Sequence, residues 1–359
     1  MRLLLTLRTS SIKFGDSFVV SYFREPIDVI APNLKVRLSG VTTTIAHLVP
    51  LQSQSIGIVA TGPGLPPDVP HLALWRVLLM PRRLRVWHAR RNNELLLGLI
   101  LKWLKLSKLK VMFTSASPRP RSRWTKFLVT CCDQVVATNQ INAAAMPRSC
   151  LIVPHGVNLE IFSPAVGLNS KSIRVVGCFG RIRSTKGTAD LVEALCRVLP
   201  TRPDWSGHIM GRTASSDQYY LDGIQEIISK AGLEKRITIV PEAPITEMPD
   251  SYRRLSLYVS PSHLEGFGLT VAEALATGVP TVATRGVGAF DELIDEGENG
   301  FLFPPGDINE LVRHLSHIMD NEDFRSSMAL QARASASKRM SLVAEAERLI
   351  EIYKELLLK

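Results

Sequence analysis

SPSHLEGFGLTVAEALATGVPTVAT, Ser260 to Thr284, is the stretch whose reading decides the fold. It reads as a loop carrying Glu265, a turn bracketed by Gly266 and Gly268, a short helix from Thr270 to Thr277, a stop at Gly278 and a buried strand from Pro280 to Thr284. The two glycines let the backbone turn tightly. The helix behind them directs its unpaired N–H groups and the positive end of its dipole into the loop, which makes an anion site. Glu265 lies in that loop and Glu273, eight residues on, in the first helical turn, so two carboxylates flank a site whose amides neutralise an anion. Such a site suits a ligand with both hydroxyls and phosphates. A plain αβ turn with two solvated acids is the alternative, and the joint occurrence of Glu-Gly-Phe-Gly-Leu, Glu273 and the Gly-Val-Pro exit argues against it.

Glu265 and Glu273 fall at the two ends of a Glu-x7-Glu signature, and with it the stretch resembles the retaining nucleotide-sugar glycosyltransferases of family four. The resemblance implies an α/β chain of the GT-B fold, two Rossmann-like domains facing a central cleft. It implies that Glu265 is catalytic, in contact with the donor sugar, and that Glu273 holds the nucleotide ribose hydroxyls. Gly266, Phe267, Gly268, Leu269 and Thr270 are then donor-binding.

Upstream, Ile173 to Gly180 reads as a buried strand, and Arg181 and Lys186 leave it five residues apart before a helix from Thr188 to Leu199. Two cations at a strand-to-helix turn are placed to neutralise a diphosphate, Arg with a planar fork and Lys with a compact charge; solvated loop charges are the alternative. In the resembled family a Gly-Arg-x4-Lys-Gly segment binds the donor pyrophosphate, which the resemblance carries to Arg181 and Lys186. It also suggests that Val240 and Glu242, after the strand beginning at Arg236, lie near the nucleotide base.

With 359 residues, 45% hydrophobic and 21% charged, the chain is long enough for two globular domains. The expected division is an extension over 1–25, an acceptor-binding domain over 26–165, a nucleotide-sugar domain over 166–340 and a helix over 341–359 that crosses back. The apolar run Leu95 to Leu101 is far shorter than the roughly 20 residues a bilayer span needs. Five cysteines, odd in number and without CxxC spacing, point to reduced thiols and not to a disulfide or metal framework. No metal or other cofactor is expected, since two cations stand where one would act.

Charge divides the halves. Residues 1–165 hold 21 Lys+Arg against 7 Asp+Glu, net +14, and residues 166–359 hold 22 against 26, net −4. A basic half suits nucleic acid, an anionic lipid surface or acidic substrates, and no nucleic-acid-binding signature accompanies it. Glu94 to Lys108 reads as a helix with Lys102, Lys105 and Lys108 rimming a Leu/Trp face; it fits an anionic leaflet, or a buried helix with snorkelling lysines.

The first domain carries the acceptor side. Asp28 to Asn33 reads as its first strand, and Gly40 in the loop behind it marks close backbone approach near the donor, or is simply a glycine after a strand. Arg85 to Ala89 reads as a strand whose exit holds His88, Arg90, Arg91 and Asn92. Ligands bind beyond the carboxyl ends of such strands, which makes the last three acceptor-binding candidates; a satisfied surface His beside solvated arginines is the alternative. Many members of the resembled family have a His at the end of the strand that here closes at Ser115. Either His88 does that work as a second catalytic residue or this branch manages without it.

The segments RLSGVTTTI, VWHARRNNELL and CCDQVVATN to VPHGVNLEIF look most like bacterial lipopolysaccharide core mannosyltransferases, which use GDP-mannose. That resemblance implies a nucleotide-sugar donor, a lipid-linked oligosaccharide acceptor and a cytoplasmic enzyme peripheral at the inner face of the plasma membrane. A transferase with another nucleotide sugar or glycolipid, a nucleotide-sugar epimerase, and an inactive membrane-docked binding protein remain the alternatives.

Overall fold

The computed structural model describes residues 26–35, 40–104, 108–165 and 174–358. The expected extension over 1–25 and Lys105 lie outside them. Runs of Val, Ile and Ala buried on both faces make strands of parallel sheets, because a strand covered by helices on either side has no polar face. The first such sheet is built from β1 (Val29–Pro32), α1 (Gly40–Gln52), β2 (Ile58–Thr61), α2 (Leu74–Leu78), β3 (Arg85–Ala89), α3 (Asn92–Trp103), β4 (Leu109–Ser115), α4 (Arg123–Thr130), β5 (Gln134–Ala137), α5 (Gln140–Ala144) and β6 (Leu151–Ile152). The second follows with β7 (Arg174–Phe179), α6 (Thr188–Val198), β8 (Trp205–Met210), α7 (Gln218–Lys230), β9 (Ile237–Val240), α8 (Met248–Arg253), β10 (Leu257–Ser260), α9 (Leu269–Ala276), β11 (Thr281–Thr284), α10 (Phe290–Leu293) and β12 (Gly300–Phe303). Three helices close the chain, α11 (Ile308–Asp320), α12 (Glu322–Arg339) and α13 (Leu342–Leu358).

Both sheets are six-stranded and parallel, ordered β2-β1-β3-β4-β5-β6 and β12-β11-β10-β7-β8-β9. The order reverses direction between β1 and β3 in one and between β7 and β10 in the other, and such reversals open a crevice beyond the strand ends. Apolar clusters fill both faces of each sheet. On the first, Ile45, Leu48 and Val49 of α1 pack with Leu349, Ile352, Tyr353 and Leu356 of α13 on one side, and Trp87, Leu95 and Leu99 pack on the other. The last helix of the chain thus belongs to the core of its first domain.

α3 ends at Trp103, shorter than the helix expected over 94–108. Its start is fixed by Glu94, whose buried carboxylate accepts from the amides of Arg90 (2.9 Å) and Arg91 (3.0 Å). Lys102 is not a free rim cation: its ammonium pairs with Asp133 at 2.6 Å. Between the domains the chain passes twice, at 153–158 and at 340–342, and the two passages are bonded to each other. The amide of Val157 donates to Met340 O (2.8 Å), that of Leu342 to Val157 O (3.1 Å), and Glu345 accepts from Gly156 N (2.7 Å) beside His155 (2.8 Å). Among the described residues no helix is long and apolar enough to cross a membrane.

Candidate active site in the interdomain cleft

At the switch point of the second sheet the loops after β7 and β10 are locked together. A Cβ at Gly187, which has φ +62°, would sit 1.9 Å from Pro261 O, and the amides of His263 and Leu264 both donate to Thr185 O at 3.1 and 3.2 Å. This packing brings Lys186 onto Glu265, and the two form an ion pair with side chains 19% and 22% exposed. The other oxygen of Glu265 accepts from the amide of Gly266 at 2.9 Å. Arg181 is exposed beside them, following Gly180 at φ +139°. Arg181, Lys186, Ser262 and Thr270 line one recess.

The helix behind the loop is α9, one residue earlier than expected, with Gly268 as its N-cap at φ +107°. A side chain there would also strike the Phe290 ring, 2.3 Å from a built Cβ. Gly266 has an ordinary backbone conformation and is demanded by space instead: its Cβ would lie 2.1 Å from Ala116 O, in the first domain. The Gly266 carbonyl accepts from Asn139 (2.8 Å) and Asn142 (2.9 Å) of the first domain, so the loop that carries Glu265 is held from across the cleft. Neither asparagine stands out in sequence except as an N-cap signal, and Asn139 does cap α5.

Two donor-side expectations change. Phe267 is 4% exposed and packs edge-on against His155, so it offers a ligand its backbone and not its ring. Glu273 sits in the second turn of α9, where Tyr252 Oη donates to it at 2.8 Å. Burial pushes this carboxyl up to about 7, against the pull of the tyrosine hydrogen bond. Leu269 packs partly against the core and Thr270 faces the recess. Gly40 begins α1, and among the described residues no atom lies within 4 Å of a Cβ built there. Val240 ends β9 at the edge of the sheet, with Glu242 exposed beyond it.

On the first domain the strand exit divides. His88 is not at the cleft: it is fully buried within β3, its Nδ1 hydrogen-bonded to Tyr353 (2.6 Å) and its Nε2 to Thr114 (2.7 Å). Burial and the nearby Arg90 charge hold its pKa well below the usual histidine value, so it is a neutral core imidazole tying β3, β4 and α13 together. Arg91 turns inward, donating to Asn33 (2.7 Å), Glu94 (2.7 Å) and Thr42 (2.9 Å), and so orders the β1 exit instead of facing a ligand. Arg90 and Asn92 do open onto the cleft, in a cavity of about 430 Å³ shared with Ser115, Ala116, Arg121 and Thr125. Among the described residues no group of three His, Cys, Asp or Glu could hold a metal, and all five cysteines are free thiols.

The sequence profile described as Glycosyl transferases group 1 matches residues 162–335. The lipopolysaccharide core biosynthesis mannosyltransferase LpsB of Rhizobium meliloti (strain 1021) is 39% identical over 349 residues, covering 92% of this chain and 98% of that protein. The chain belongs to the group 1 glycosyl transferases. The corresponding mannosyltransferase LpcC of Rhizobium leguminosarum bv. viciae is 38% identical over 347 residues, 92% of this chain and 97% of its own. Among solved structures, Anabaena HepE in complex with UDP superimposes with a TM-score of 0.79 at 18% identity, over 92% of this chain and all of that one. The lipopolysaccharide outer core galactosyltransferase WaaB in its apo form gives 0.69 at 14% identity, over the same share of each. At those identities the likeness establishes the fold, which is GT-B, and the group 1 membership makes the chain a glycosyltransferase.

Proposed function

We propose that this glycosyltransferase moves mannose from GDP-mannose onto the lipopolysaccharide core oligosaccharide, with retention at the anomeric carbon, at the cytoplasmic face of the inner membrane. The observation that carries the reading is the meeting of Lys186 and Glu265 at the switch point of the second sheet, on a loop gripped by the first domain. Lys186, Arg181 and the first amides of α9 are preorganised donors for the charge that develops on a departing diphosphate. To Glu265, paired with Lys186 and bonded to the Gly266 amide, we assign the donor sugar, and to Glu273 the ribose hydroxyls. Among the described residues neither the Arg181–Lys186 recess nor the Arg90 cavity is lined by an Asp or Glu, which favours attack by the acceptor hydroxyl on the face the diphosphate leaves, a phosphate oxygen taking its proton. The choice of mannose and acceptor is supported by the names of the two relatives matched over nearly their whole length.

The membrane side of the proposal rests on exposed apolar groups of the first domain. Trp75, Leu79, Trp103 and Leu104 stand out from α2, α3 and their ends, and Trp124 (56% exposed) stacks on Phe127 (50% exposed) along α4. Exposed Arg119, Arg123 and Lys126 border the α4 pair. An aromatic face edged by cations suits an anionic leaflet. These residues replace the lysine rim, of which Lys102 is engaged by Asp133.

Incubation with GDP-mannose, UDP-glucose and UDP-galactose, with and without core oligosaccharide, tests the function by nucleotide release. Acceptor-stimulated release from GDP-mannose and retained α-configuration in the product are expected. Release from none of the donors, with GDP still bound, would favour the inactive binding protein.

A further inference from the structure

The cavity beyond β3 and β4 has a charge composition that the donor reaction does not explain. Arg90, Arg119 and Arg121 line it, and among the described residues no Asp or Glu does. Arg90 is 9% exposed, and its Nη2 is buried without a hydrogen-bond partner. Arg121 likewise has a buried Nε with none; its Nη2 donates to Ser115 Oγ, and its guanidinium lies over the Phe113 ring at 5.4 Å from the centroid. The contrast is with Arg91 next door, whose charge Glu94 balances at 2.7 Å. A guanidinium taken partly out of water loses hydration, and an anion seated against it offsets that penalty.

We propose that this cavity is the seat of an anionic group on the acceptor, a carboxylate or a phosphate monoester, gripped by Arg90 and Arg121. The inference rests on the glycosyltransferase reading for the word acceptor, and on the cavity alone for the word anionic. The arginine fork matches either group in two parallel hydrogen bonds. Ser115 is the hydroxyl that orients Arg121. A large ring at this position would fill the space that the Arg121 terminus occupies. Ala116 lines the same cavity, and its carbonyl sits against Gly266, the neighbour of Glu265. An anion fixed on the two arginines therefore holds the rest of its sugar at the cavity's border with the donor loop.

Calorimetry with the full chain and GDP present tests this, using a deacylated lipopolysaccharide core oligosaccharide in three forms: untreated, with its carboxylates amidated, and with its phosphates removed. One of the two treatments is expected to weaken binding about 10- to 100-fold, the loss of charge-assisted hydrogen bonds, and which one identifies the anion. Arg121→Gln should weaken the untreated form by a similar factor and leave the weakened form unchanged, while Arg121→Lys recovers part. GDP affinity, which depends on the other domain, should stay unchanged in both variants and so report an intact fold. Equal binding of all three forms, or an Arg121→Gln variant that binds the untreated form normally, would overturn the proposal. Nucleotide release, measured separately, decides the transferase reading without touching this one.

Discussion

The two sheets turn their carboxyl-terminal ends to one cleft and treat charge there in opposite ways. On the second domain Lys186 already lies on Glu265, and Glu273 accepts from the hydroxyl of Tyr252. On the first, Arg90 and Arg121 share a cavity that no acid lines among the described residues. A site that serves one invariant leaving group can carry its own counter-charges and stay rigid. A site that discriminates among acceptors gains more from leaving a charge to be completed by the correct molecule, because a wrong one then meets unmatched arginines.

Replacing Glu265 with Ala should cut the comparison most sharply, lowering transfer by about 100-fold or more while GDP binding is nearly kept, in line with the loss of a group aimed at the reacting centre. Single-turnover rates at saturating donor measure it, and normal transfer would remove Glu265 from the chemistry. Next in size, Lys186→Ala and Glu273→Ala should each raise the GDP dissociation constant by about 10- to 150-fold, the value of a charge-assisted contact. Unchanged calorimetric affinity in both would dissolve the donor-site assignment.

Glu273 also makes a claim about pH. Its carboxyl titrates near 7 in the folded protein against 4.5 ordinarily, so below 4.5 it is protonated in both states and carries no penalty. As pH rises through 4.5 toward 7 the unfolded chain ionises first, and stability is lost by at most about 3 kcal/mol. Glu273→Gln should therefore match the parent at pH 4.5 and exceed it at pH 8 in denaturant unfolding. The same substitution should flatten the fall in GDP affinity expected as the parent is taken below pH 7. The smallest effect belongs to the surface of the first domain: Trp124→Ala with Phe127→Ala should weaken sedimentation with anionic vesicles several-fold, more at high salt where the cations are screened, and leave melting unchanged. Indifference of the parent protein to such vesicles at low salt would end the membrane proposal.

How far the sequence could be read follows the same division. β7, β10 and β11 are legible because each is a short, mostly apolar run that ends at or follows a glycine or proline, and the donor loop is legible because its parts are contiguous. His88 was misplaced because a strand buried on both faces has no alternation to say which way a side chain points, and its partners Thr114 and Tyr353 lie 26 and 265 residues away. Arg91 is misread for a like reason: what turns it inward is Asn33 and Thr42, 58 and 49 residues away. Of the two asparagines that hold Gly266, Asn139 carries only a capping signal and Asn142, inside α5, carries none, since their decisive contact is with another domain.

The paired crossings at Val157 and Met340 to Leu342 fix how the cleft can open. A single tether would let the second domain swivel freely, but two chain segments bonded side by side form a ribbon, which bends across its width and resists twisting about its length. Such a ribbon favours bending over twist at this point, and with Asn139 and Asn142 on the Gly266 carbonyl the alignment of the Glu265 loop and the Arg90 cavity is held from two separate places.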